Sequence, residues 1–233
     1  MVSDEVREKP RALSKSVLKR LLQKGGVVRA NKNVYEVMRR ASLEFVSKLL
    51  HTSILLATQN GKVTIKLANL KTACKLHGIN SVVGINPTAS FTPSLVTGPV
   101  YPRKTPPSDA KAANGEKPKR KFKQGVVSSR EIKFQQKRDN LVFRKLSFVK
   151  YCKAISKNPD MIPIHSHEVD LDALRYSRSL IAVLQVLCER YLIALAFSSC
   201  LIPAKSGQKT IKAEDVEIVM KIAEGCGIYS KFI

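Results

Sequence analysis

K-V-T-I-K-L-A-N-L, residues Lys62 to Leu70, returns as Q-K-T-I-K-A-E-D-V, residues Gln208 to Val216. Thr-Ile-Lys falls at the same place in both copies, and Asn69 or Asp215 stands five residues beyond the Thr. Each copy also has an Arg at one fixed distance upstream: 35 positions separate Arg29 from Thr64, and 35 separate Arg175 from Thr210. Between each Arg and its Thr lies a long apolar-periodic stretch. Self-similarity at fixed spacing points to one structural unit built twice.

Working outward from the first copy, the pattern predicts a short helix, a loop, a long helix, a loop and a short helix. Ser14 stands as N-cap before Val17, Leu18, Leu21 and Leu22, which share one face. Gly25-Gly26 stops that helix, and Val27 to Ala30 is a short extended loop. Asn31 or Asn33 caps a long helix from about Asn33 to Thr58. Its stripe is Val34, Val37, Met38, Ala41, Phe45, Leu49 and Leu56. A single helix roughly 35–40 Å long and apolar on more than one side needs a partner of similar length. Gln59-Asn60-Gly61 ends it, Lys62 to Ile65 forms the second loop, and a last helix runs from about Lys66 to His77.

The second unit begins near Asn140 with a helix marked by Val142, Leu146, Phe148, Val149, Cys152 and Ile155. A longer connection follows, from Asn158 to Asp172. Ser177 or Ser179 caps a long helix over about Ser179–Ile202, carrying Leu180, Val183, Leu184, Leu187, Tyr191, Leu195 and Ser198. Gln208 to Ile211 is its second loop, and the last helix runs from about Lys212 to Ala223. The domain reading is a flexible arm over 1–13, one folded unit over 14–80, a Pro- and Lys-rich linker over 81–139 and a second unit over 140–233. The linker is charged and therefore extended, although Ser129 to Arg138 can be helical. Its run Lys117 to Lys123 reads equally as a solvated tail or as a phosphate-contacting, nuclear-localisation-like signal.

The 233 residues include 41 Lys and Arg against 18 Asp and Glu, a net charge of +23. That excess says nothing about fold and points to a polyanionic partner, most simply nucleic acid. No window reaches the roughly 18 apolar residues of a membrane span, and the N-terminus lacks the apolar core of a signal peptide. The five cysteines, Cys74, Cys152, Cys188, Cys200 and Cys226, read as reduced thiols in an intracellular setting. His165-Ser166-His167 near Cys152 lacks further ligands at metal spacing and reads as a polar loop. No nucleophile–base arrangement or glycine-rich phosphate loop is present, so no enzymatic activity, metal or cofactor is expected.

These residues resemble the histone fold, and each half is similar to a different core histone. R-L-L-Q-K-G-G-V-V-R followed by V-Y-E, from Arg20 to Glu36, is similar to the start of histone four. F-R-K-L-S-F (143–148), L-R-Y (174–176) and L-Q-V-L-C-E-R-Y-L (184–192) are similar to histone three. The chain thus resembles a histone four–histone three fusion, the histone doublet of certain large DNA viruses. The resemblance covers both folded halves, not the linker or the arm.

The resemblance implies an all-α protein of two histone folds paired head to tail within one chain, acting as a structural DNA-packaging protein. Arg29 would neighbour Thr210 and Arg175 would neighbour Thr64. Each Arg would enter a DNA minor groove, and the Thr hydroxyls and backbone amides would hold phosphate. Matching positions put Arg20, Lys24, Lys62, Arg144, Lys145 and Lys209 near phosphates. A second copy would dock near Ile202, Lys205, Asp215 and Ile218, either through a Lys205–Asp215 pair or with Ile218 serving the core instead. A second doublet resembling histones two-B and two-A would complete a nucleosome-like particle, in the chromatin of the virion and viral factory, or in a nucleus if the source is cellular. No membrane partner is implied. Many histone folds carry a second-loop Arg paired with the Asp five residues past the Thr. Lys62 with Asn69, and Gln208 with Asp215, break that clamp, so looser loops are expected. The other reading is a histone-fold transcription subunit with sequence-specific or protein-only contacts.

Overall fold

The structure is a computed structural model that describes residues 13–79, 125–138, 140–157 and 174–225. Residues 1–12 of the N-terminal arm, the basic run at Lys117–Lys123, His165-Ser166-His167 and Cys226 lie outside the described residues, whereas Leu13, read as the end of that arm, is buried in the core. Each unit folds as short helix, long helix, short helix. In the first these are α1 (Lys15–Lys24), α2 (Val34–Thr58) and α3 (Leu67–Leu76). In the second they are α5 (Lys145–Ser156), α6 (Arg178–Lys205) and α7 (Ala213–Gly225), preceded by α4 (Val126–Gln136), which packs on α1. Two-residue strands mark the loops: β1 (Arg29–Ala30), β2 (Thr64–Ile65), β3 (Arg175–Tyr176) and β4 (Thr210–Ile211).

Local chemistry sets the ends of the long helices. Ser177 caps α6, its hydroxyl accepting from the Leu180 amide at 3.2 Å. Asn33 holds the N-cap position of α2 without a side-chain bond, and the Val34 amide instead donates to the Asn31 carbonyl at 3.2 Å. Ser14 precedes α1 with extended backbone, but its hydroxyl bonds Ser16 rather than a helix amide. Gly61 and Gly207 occupy equivalent places after α2 and α6 with φ of 63° and 68°. Only a residue without Cβ takes that backbone cheaply. It lets the Lys62 amide reach the Ala57 carbonyl and the Gln208 amide reach the Pro203 carbonyl, both at 3.0 Å.

The two halves share one core. α2 and α6 pack against each other, with Phe45 stacked on Tyr191 at 4.4 Å between ring centroids and 8° between planes. The buried Ser42 hydroxyl of α2 lies 3.3 Å from the Tyr151 hydroxyl of α5 and 3.4 Å from the Cys188 sulfur of α6. Every residue from Leu180 to Glu189 is buried, so α6 is apolar all round because it is the central helix. By length and composition α6 could cross a membrane, contrary to the expectation that no window could. The protein itself supplies the apolar surroundings, since 72% of the most apolar window is buried.

One further expectation is corrected. Leu146, assigned to the apolar stripe of α5, is 79% exposed, because α5 buries only the face carrying Phe148, Tyr151, Cys152 and Ile155. Tyr35 is half-buried, its ring 5.5 Å from the Lys15 ammonium.

Candidate nucleic-acid interface

The repeat that opens the sequence brings its four loops together in two cross-half pairs. β1 pairs in parallel with β4, Arg29 opposite Thr210 and Ala30 opposite Ile211. β2 pairs in parallel with β3, Thr64 opposite Arg175 and Ile65 opposite Tyr176. Further backbone bonds close each pair: the Asn31 amide donates to the Ile211 carbonyl at 3.0 Å, and the Arg175 and Ser177 amides donate to the Val63 and Ile65 carbonyls at 3.1 Å. β1 leads into α2 and β4 follows α6, while β2 follows α2 and β3 leads into α6. The two pairs therefore sit at opposite ends of an antiparallel α2–α6 pair. α2, with 25 residues, spans about 38 Å between them.

Within each pair the short-strand alternation turns one side chain in and the next out. Ile65 and Ile211 are buried, Arg29, Arg175 and Thr210 are exposed, and Thr64 is half-buried. Lys62 and Lys209 are both exposed beside them. Their registers differ, since Lys209 directly precedes its Thr whereas Val63, exposed, takes that place in the first unit. Asp215, whose usual loop Arg is missing, accepts from the Lys212 amide at 2.8 Å, a bond that caps the start of α7.

Further cations lie on α1 and at the start of α5. Arg20, Arg144 and Lys145 are exposed there. Lys24 belongs to the same neighbourhood but is half-buried, and its ammonium donates to the Asn140 carbonyl at 2.9 Å. It thus holds the segment before α5 in place. The stronger anchor of that segment is Glu189, 3% exposed on α6. Its carboxylate accepts from the Val142 and Phe143 amides at 2.9 Å, while the Gln185 amide donates to the Phe143 carbonyl at 3.0 Å. Burial raises the Glu189 carboxyl above its ordinary value; the bonds from Phe143, Val142 and Gln185, and the Lys24 charge, oppose that shift. This clip was not legible as such, although Glu189 is a lone acid inside a long apolar run.

At the far end of α6, Ile202 and Asp215 are half-buried and Lys205 is exposed. Ile218 is 47% exposed and not a core residue, and it keeps company with Leu201 at 54% and Ile222 at 52%. The last two were missed by sequence reasoning. The four-residue spacing of Ile218 and Ile222 on α7 was the available signal.

Residues 124–222 match the family model of the core histone domain, the one that covers histones two-A, two-B, three and four. The matched stretch runs from just before α4 into α7 and so takes in the helices of the second unit. With a first unit of the same short–long–short form clasped against it, the chain is an all-α protein of two histone folds paired head to tail.

Proposed function

We propose that this protein packages DNA, binding the duplex by its backbone and shape rather than by its base sequence. The observation that carries this reading is the pairing of Arg29 with Thr210 and of Arg175 with Thr64, each with its Arg exposed. A narrow, inward-facing minor groove is strongly negative, and a guanidinium suits it. The Thr hydroxyls and loop amides hold the flanking phosphates, with Lys62, Lys209, Arg20, Arg144 and Lys145 adding positive charge. The net charge of +23 supports the same partner.

In this reading the chain is a fused histone four-like and histone three-like doublet. Fusion keeps two unlike halves at high effective concentration. A second copy docks at the α6–α7 end around Ile202, Lys205, Asp215 and Ile218, where the exposed aliphatic side chains of Leu201 and Ile222 add area to bury. A second doublet resembling histones two-B and two-A completes a nucleosome-like particle, housed in virion and viral-factory chromatin.

The test is nuclease protection of long duplex by the full chain with and without Arg29→Ala plus Arg175→Ala. Loss of protected length with helicity unchanged supports the assignment, and unchanged protection overturns it. A transcription-type subunit would instead show a large affinity ratio between unrelated duplexes of equal length.

A further inference from the structure

Residues 140–144 form neither helix nor strand, yet side chains of two other helices take hold of their backbone. The Lys24 ammonium on α1 donates to the Asn140 carbonyl at 2.9 Å. On α6 the Glu189 carboxylate accepts from the Val142 and Phe143 amides, and the Gln185 amide donates to the Phe143 carbonyl at 3.0 Å. The Phe143 ring is buried and stacks on Phe148 of α5, with 5.5 Å between centroids. Arg144 follows directly. It is the N-cap residue of α5, with extended backbone, and its carbonyl accepts from the Phe148 amide at 3.0 Å. Its side chain is exposed. An exposed guanidinium therefore stands between a pinned strap and a helix, and the pins come from both units.

We infer that Lys24 and Glu189 are positioning residues for duplex binding: by fastening residues 140–143 across the two units, they hold Arg144 in the geometry that meets phosphate. This rests on the duplex reading of Arg144 given above. Hydrogen bonds to a charged acceptor are stronger than neutral ones. An irregular segment already ordered by them has little freedom left to lose when the duplex arrives. One pin is on α1 and the others are on α6, so the cation at the start of the second unit is set only when the two units are clasped. Glu189 also carries a negative charge, which repels a polyanion through space. The two effects of this carboxylate on duplex affinity have opposite signs, and that makes them separable.

Anisotropy titrations of the full chain on a short mixed-sequence duplex, at one salt concentration and mildly alkaline pH, compare Glu189→Gln, Arg144→Ala and their combination. Glu189→Gln keeps the shape of the side chain and removes a negative charge. Charge alone would make that variant bind tighter, whereas lost positioning makes it bind about fivefold weaker. In the Arg144→Ala background the same substitution should not weaken binding, since no guanidinium is left to place. Hydrogen exchange should show the Val142 and Phe143 amides losing protection in Glu189→Gln, with helicity by circular dichroism unchanged. If Glu189→Gln does not fold, Lys24→Met carries the test. Its own lost charge acts in both backgrounds, so it should weaken the natural chain more than the Arg144→Ala chain. Unchanged or tighter duplex binding by Glu189→Gln, a weakening of equal size in both backgrounds, or unchanged protection at 142 and 143 overturns the inference and leaves the duplex reading of Arg144 standing. Full affinity in Arg144→Ala alone removes that reading, and the inference with it.

Discussion

Replacing Arg29 and Arg175 together by Ala tests the interface most directly. Both side chains are exposed, and the bridges they flank are made by backbone groups, so the variant should fold with its helicity intact. On the proposed function seven exposed cations meet the duplex: Arg20, Arg29, Lys62, Arg144, Lys145, Arg175 and Lys209. Lys24 is left out because its ammonium is bonded to the Asn140 carbonyl. At about −0.9 per neutralised phosphate, log affinity should fall with log salt at a slope of about −6 for the natural chain and about −4.5 for the variant. Raising salt from about 50 to about 200 mM then weakens the natural chain several thousand-fold and the variant about 500-fold. Anisotropy titrations on a short mixed-sequence duplex at several salt concentrations measure the slope, and circular dichroism checks the fold. An unchanged slope with unchanged helicity would refute the placement of these arginines against the duplex.

Three further outcomes follow from the core. Phe45→Ala removes one face of the ring stack that joins the halves and should cost about 3–5 kcal/mol of unfolding free energy, read by urea denaturation. Glu189 titrates above its ordinary value in the folded chain, so the folded state binds its proton more tightly than the unfolded one does. Its contribution is therefore most favourable below the ordinary carboxyl range and is lost as pH rises through the raised folded value. Relative to Glu189→Gln, the natural chain should lose stability as pH climbs through that window, and equal pH profiles from thermal melts would contradict this. Burial pushes the Cys74 and Cys188 thiols up to about 12 and raises Cys152 further. Iodoacetamide at mildly alkaline pH should therefore spare these three until denaturant is added, as site-resolved mass spectrometry would show.

Much of the fold could be read from spacing. The repeated Thr-Ile-Lys, its matched Arg and the apolar stripes place both long helices within a few residues of their ends, because helical period and glycine stops are local properties. The partnership of Arg29 with Thr210 and of Arg175 with Thr64 was legible only through a resemblance, since nothing local states which loops will meet. The exposure of Leu146 was not legible at all. An apolar residue in phase with a stripe faces the core only if the neighbouring element reaches that far, and α6 does not cover that turn of α5.

Chain chemistry alone settled that two like helical bodies exist, where they break, and that the whole carries a large positive charge. It could not tell a bilayer-length apolar helix from a central one. α6 became a core helix because the rest of the fold surrounds it and removes it from water. Nor could it separate cations facing solvent from Lys24, which is spent on the Asn140 carbonyl, or find the buried carboxylate of Glu189 that pins residues 142 and 143. Those assignments depend on groups brought together from distant parts of the chain, and only packing in three dimensions brings them within bonding distance.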